Sequence, residues 1–469
     1  MSSQIDADYS KVFLFPPSLE DFVPANDPVR FIRAFVDSLD LENLGFITRV
    51  SKDGRPGFAP SLLLKIWLYG SYERISSCRK LERKCKRDLA LLWLSGMNYP
   101  DHNTLWRFFF DNKKAIKQLF KKSVQVAIKN DLVGMVYHAI DGTKICANAS
   151  RFKKLDKKGM KILLERLDEY IAAMERQIKI SKDEPDDRLP EGLQKTEELK
   201  KRVKETVDSL QNKENGTLNI IDIDSRRIMT NKGITEYSYN AQAVADQKCG
   251  IIVGSQVTQA ESDNHLLTEM IAEVKDTAGS NAKYSVADAG YFSGEEIAKS
   301  EELQSQTDIY VNIPKEHNSS AVKKSDDKYH TNNFRYDKEQ DVYICPHGTA
   351  LKKAYQRSNS IAYNCTGFDS CSYKSFCTRS KKIKQITVHK NHEQIRRHKE
   401  KIKSEEARAL LRQRGGCIEK VFGHIKEQLG LRRFRAVGKS NAEANWYFVC
   451  TIYNLQKIWT VKGISACFT

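Results

Sequence analysis

Near Val133 the hydrophobic pattern changes period, and a fold of one secondary-structure class cannot accommodate both parts. Upstream, apolar residues recur at helical spacing: Leu63, Ile66, Trp67 and Gly70, then Leu81, Leu89, Leu92 and Trp93. Pro60 stands where a first helical turn tolerates proline, Gly96 to Pro100 interrupts the pattern, and Asp101 or Asn103 can cap a short helix carrying Arg107. A further amphipathic helix is expected from about Lys113. Downstream, VGMVYHAID reads as a strand closing at Asp141. Further strands are expected at 218–223, 239–246, 250–257, 284–289 and 308–313, with a helix over NHLLTEMIAEVKDTAG. That order is α/β, a mixed sheet with hairpin and crossover connections behind an all-helical N-terminal domain.

Two segments interrupt the sheet. In 152–213, Met160, Leu164, Leu167, Ile171, Met174 and Ile178 form a heptad seam, DEPDDRLPEG breaks it, and Leu193, Leu199, Val203 and Leu210 supply a weaker returning stripe. This is the pattern of a helical hairpin, whose apolar stripe is packing rather than chemistry. The second, about 315–390, is polar and contains Cys345, Cys365, Cys371 and Cys377. Beyond it a basic stretch leads into a helix, CIEKVFGHIKEQLG.

Charge narrows the partner. The 469 residues carry a net +17, but residues 70–130 account for +9 and 380–440 for +12, leaving −4 on the rest. Charge held in two blocks suits a polyanion, most simply nucleic acid, better than general solubility. Helix, turn and short basic helix is compatible with a DNA-reading helix-turn-helix and equally with a plain bundle bearing a solvated basic face. The start has no basic region followed by a long apolar run, and no later run reaches membrane-spanning length, so a cytoplasmic protein is expected. Eleven cysteines, mostly scattered, fit reduced thiols.

Three carboxylates stand out. Asp141 precedes Gly142 in AIDGTKICANAS, Asp288 precedes Gly290 by two in VADAGYFS, and Glu419 lies beside a docking stripe of Ile418, Val421, Phe422 and Ile425. Singly, each aspartate reads as an ordinary residue after a strand. Together they would suit hard cations that take oxygen ligands and act as a pair on a phosphodiester. Lys426 follows Glu419 by seven residues, and Arg432, Arg433, Arg435 and Lys439 come next, cations that a phosphate backbone would explain.

These motifs, in this order, together with the hairpin YNAQAVAD and GIIVGSQV and the N-terminal run LLLKIWLYGSYERISSCRKLERKCKRDLALLWLSGMNYPDHNTLWRF, resemble bacterial insertion-sequence transposases of the DDE class. The resemblance implies a ribonuclease-H-like core with Asp141, Asp288 and Glu419 as ligands of Mg²⁺ or Mn²⁺, and Lys426 as the lysine of the family's Glu-x6-Lys signature. The Tyr and Arg of the wider signature fall on Arg412 and Gly415 here. The implied organisation is a helical DNA-binding domain (1–130), the catalytic core in three parts (131–151, 216–314 and 391–469), the hairpin insertion (152–215) and the Cys-bearing insertion (315–390).

Arg79, Arg83, Lys84 and Arg107 would read the terminal inverted repeats, with Lys144, Arg432 and Arg433 on the DNA backbone. The expected partners are element ends and target DNA, bound by a nucleoid-associated homodimer with no nucleotide cofactor and no membrane. A metal-dependent nuclease without strand transfer and a catalytically silent DNA-binding derivative are the rival readings. The cysteine spacing leaves two readings open, a structural Zn²⁺ or unligated thiols.

Overall fold

The computed structural model describes residues 18–47, 57–180, 191–210, 217–229, 233–314, 328–378 and 380–467. They form two compact units, one of Met1–Glu261, Met270–Ala282 and Gly415–Thr469, the other of Ser262–Glu269 and Lys283–Arg414.

The first unit opens with helices α1 (Pro28–Asp37), α2 (Pro60–Tyr72), α3 (Cys78–Cys85), α4 (Leu89–Ser95), α5 (His102–Asp111) and α6 (Lys113–Lys129). Four of the boundaries have a clear local cause. Asp27, Asp88 and Asp101 accept the N–H groups of Val29, Leu91 and Thr104 at 2.8, 3.2 and 2.8 Å, and α4 stops at Gly96, which adopts φ +55°. The apolar run after Pro60 is three helices rather than one long one. A Cβ on Gly70 would overlap the Leu81 side chain, so glycine there lets α2 and α3 approach closely.

Strand β1 (Tyr137–Cys146) continues past Asp141, correcting the expected strand end: Asp141 lies opposite Ala243 in mid-ladder. The buried Thr143 and Ile145 that follow keep the ladder going, and Gly142 makes no turn. Next come β2 (Lys154–Leu155), α7 (Lys157–Ile180), α8 (Glu191–Leu210) and β3 (Leu218–Asn219), a helical hairpin clasped by a short antiparallel pair. Met160, Val203, Leu218 and Ile223 form its core, with Leu164 and Leu167 packed on it. Leu199 is exposed, while residues 181–190 and the side chains of Ile178, Leu193 and Leu210 lie outside the described residues.

The expected strand at 218–223 shrinks to β3, because Asn219 Oδ1 accepts the N–H groups of Ile221 and Asp222 and turns the chain. The strand that follows, β4 (Arg226–Met229), has no counterpart in the sequence reading. β5 (Thr235–Asp246) pairs antiparallel with β1 on one edge, and with β4 and β6 (Ile252–Thr258) at successive stretches of the other.

Helix α9 (Leu267–Ala278) begins in the second unit and ends in the first. In the second unit β7 (Tyr284–Ala287) and β8 (Asp308–Val311) pair in parallel, joined by α10 (Gly294–Glu302). An antiparallel sheet follows: β9 (Arg335–Asp337), β10 (Val342–Ile344), β11 (Ala350–Gln356), β12 (Ser360–Cys365) and, after the single turn α11 (Lys374–Cys377), β13 (Gln385–His389). The Cys-bearing segment is thus a small β-sheet module. The basic stretch after it is helical, as α12 (His392–Lys401) and the start of α13 (Glu405–Gly423).

Back in the first unit, α14 (Lys439–Lys462) packs against α6 and β6 and is buried along most of its length. Its Trp446 donates to the Gln242 carbonyl at 3.0 Å, and Asn454 exchanges two 2.9 Å hydrogen bonds with the backbone of Ile252.

Candidate active site

Asp141 sits half-buried on β1, with Oδ1 accepting the Gly142 N–H at 2.8 Å. Glu419 is exposed on the C-terminal part of α13, while Ile418, Val421, Phe422 and Ile425 are buried, so one face docks and the carboxylate stays at its edge. A Cβ on Gly415 would stand 3.0 Å from Oε1 of Glu419, so glycine at 415 leaves room for the carboxylate to fold back along its helix.

After Gly423 the α-helix widens into a π turn over His424–Gln428 that contains Lys426. Such turns are frequent at functional sites. They also mean that Glu419 and Lys426 are not joined by one uninterrupted α-helix. Burial lowers the Lys426 pKa, and Arg432 lowers it further; the negative charges of Asp141 and Glu427 oppose both. The structure therefore brings Asp141 and Lys426 into one electrostatic neighbourhood.

Asp288 belongs to the second unit. It caps the single 3-10 turn after β7, its Oδ1 accepting the Gly290 N–H at 2.8 Å. A Cβ on Gly290 would stand 3.0 Å from that oxygen and 3.6 Å from Oδ2 of Asp263, so the two carboxylates flank one glycine. Asp263 was missed by the sequence reading; its one signal, a polar SDN just before a helix, is also an ordinary cap. Among the described residues no group of three or more His, Cys, Asp or Glu side chains is already gathered to hold a metal ion.

The predicted DNA contacts differ in their surroundings. Arg79, Arg83 and Lys84 lie on the exposed side of α3, whose Leu81 and Cys85 are buried, and Lys84 pairs with Asp88 at 3.6 Å. Arg107 is exposed on α5 and lines a groove with Phe58, Asp101, Thr104 and Asp111. Lys144 is half-buried on β1, opposite Asn240. Arg432 is ion-paired with Glu427. Arg433 donates to the carbonyls of Ala147 and Ala149 where its backbone bridges to Cys146, so it fastens the chain after α13 to the end of β1.

Two family models match the chain. One, described as Transposase domain (DUF772), covers residues 17–110, and the other, described as Transposase DDE domain, covers residues 344–459. The second contains Glu419, Lys426 and all four clustered cysteines, so strands β11, β12 and β13 of the small β-sheet module lie within the matched family domain, while β9 precedes it. No curated protein and no solved structure matches the chain. A transposase domain on the N-terminal helices and a DDE domain over the Glu419 region, in that order on one chain, make this protein an insertion-sequence transposase of the DDE class.

Proposed function

We propose that this transposase binds the terminal inverted repeats of its element and catalyses metal-dependent cleavage and strand transfer, with Asp141, Asp288 and Glu419 as the metal ligands. The carrying observation is that a transposase domain over the N-terminal helices is followed on the same chain by a DDE domain that contains Glu419 and Lys426. The antiparallel strands β1, β5 and β6, followed by a helix and the parallel β7–α10–β8 unit, support a ribonuclease-H-like core. This reading requires Asp288 of the second unit to join the other two carboxylates in the functional complex.

Three carboxylates are hard oxygen donors of the kind Mg²⁺ or Mn²⁺ takes. A metal held there would supply activation of an attacking oxygen and charge stabilisation of a leaving oxygen in phosphodiester chemistry. The chain's own residues do the positioning. Lys426 presents a half-buried ammonium to a phosphate, Lys144 and Arg432 hold the adjoining backbone, and the exposed cations of α3 and α5 read the repeat. A homodimer on DNA follows from a reaction that joins two ends.

Incubating the protein with pre-cut terminal-repeat DNA, target DNA and Mg²⁺ tests the proposal. Joined products are expected; cleavage alone would indicate a nuclease, and binding alone a silent reader. Retention of joining by Asp288→Asn would remove that residue from the ligand set.

A further inference from the structure

Cys345, Cys365, Cys371 and Cys377 are separated along the chain, yet in the second unit they line one cavity of about 20 Å³, bounded also by Phe334, Leu351 and Phe368. That is room for a single water-sized sphere or one ion. The fold brings the thiols there from three directions. Cys345 follows β10, Cys365 ends β12 opposite Leu351, and Cys371 and Cys377 bracket α11.

Burial raises the thiol pKa of Cys365 and Cys377, and two features around the cavity act in the opposite direction, toward thiolates. Gly348, at φ +87°, closes a turn in which its N–H donates to the Cys345 carbonyl at 2.9 Å and the Thr349 N–H donates to Cys345 Sγ at 3.3 Å. A backbone donor is thus already aimed at sulfur. Lys384, held by the carbonyls of Tyr329 and Cys377 at 3.3 and 3.2 Å, sets a positive charge beside the cluster. His347 is engaged elsewhere: its Nε2 pairs with the Tyr329 hydroxyl at 2.8 Å and its ring stacks on Tyr373 at 3.7 Å. All four cysteines are free thiols.

The module also needs a staple. Its core is six buried side chains, Phe334, Tyr343, Leu351, Ile361, Tyr363 and Ile386. A β-sheet with so small a core gains order from a crosslink.

We propose that Cys345, Cys365, Cys371 and Cys377 hold one structural Zn²⁺ as a tetrathiolate site. Four sulfurs around one ion-sized space match the tetrahedral, sulfur-rich coordination of structural zinc. The four thiols are not yet at ligand distances, so binding draws the sulfurs inward and releases their protons. The site is independent of the carboxylate reading, and its readout is metal content.

The full-length protein, purified under reducing conditions and passed through EDTA-containing buffer, is expected to retain one zinc per chain by elemental analysis. Replacing zinc with Co²⁺ should give the visible absorption of a cobalt tetrathiolate. Cys345→Ser and Cys371→Ser should lose the metal, and Cys249→Ser should keep it. Absence of zinc together with absence of cobalt–thiolate absorption would overturn the proposal, as would disulfides among the four cysteines under the same conditions. Because the wild-type measurement decides alone, misfolding of a variant does not shelter the idea.

Discussion

Gly415 and Glu419 are one helical turn apart, and a Cβ on the first would come within 3.0 Å of Oε1 on the second. Alanine in a helix interior is ordinarily about 0.5–1 kcal/mol more favourable than glycine. Gly415→Ala should therefore hold or raise Tm while displacing the Glu419 carboxylate and lowering strand joining by about tenfold or more, some 1.4 kcal/mol of barrier. Calorimetry beside a joining assay checks the split; equal joining by the variant would show that the carboxylate's position does not matter.

Lys426 combines a functional position with a cost. Burial holds its ammonium pKa below the usual lysine range. Between that lowered value and the ordinary value of about 10.4, the unfolded chain binds more protons, so this group's contribution to stability rises with pH. Lys426→Met should be at least as stable as wild type at pH 7, with any advantage shrinking as pH rises toward 10. DNA joining should nevertheless fall in the variant. Denaturant titrations at several pH values test the sign.

Arg432 and Arg433 are adjacent in sequence but not equivalent. Arg433 donates to the Ala147 and Ala149 carbonyls, whereas Arg432 is exposed and paired with Glu427. Arg433→Ala should cost about 1 kcal/mol of stability, and Arg432→Ala should stay within about 0.5 kcal/mol. Arg432→Ala should also reduce the salt dependence of DNA binding by about one ion. Thermal melts and binding across a salt series separate the two residues.

Arg107 stands exposed in its groove on α5. Arg107→Ala should weaken binding to terminal-repeat DNA by about 1–3 kcal/mol and leave random-sequence binding nearly unchanged. A parallel loss on both DNAs in a competition assay would reassign it to the phosphate backbone.

Tyr239 donates its hydroxyl to the fully buried Asp222 at 2.7 Å, and the Gly438 N–H reaches the same carboxylate at 3.2 Å. Burial raises the Asp222 pKa, a sign that its charge is costly there. Tyr239→Phe removes one of these donors and should lower stability by about 1–3 kcal/mol. Urea unfolding measures it.

Much of the element order was legible because its signals are local. The cap at Asp101, the β5–β6 hairpin, the buried stripe from Ile418 to Ile425 and the seam through Met160 and Leu167 follow from periodicity and turn chemistry. The failures were equally physical. Asp141–Gly142 looks like a strand end, but pairing with β5 carries the ladder on to Cys146. The polar stretch before His392 has little apolar periodicity, yet cross-strand pairing makes most of it a sheet.

By itself the sequence determined the α/β class, the run of helices ahead of the first strand, the two blocks of positive charge and the motifs by which the chain resembles DDE transposases, since each depends on residue type and short spacing. Only the tertiary structure decided which cations are exposed and which are fastened to the protein, that Asp141 and Lys426 share one neighbourhood, and that four scattered cysteines line one cavity. Those relations join residues separated by tens to hundreds of positions, and packing and strand pairing, which no local pattern encodes, bring them together.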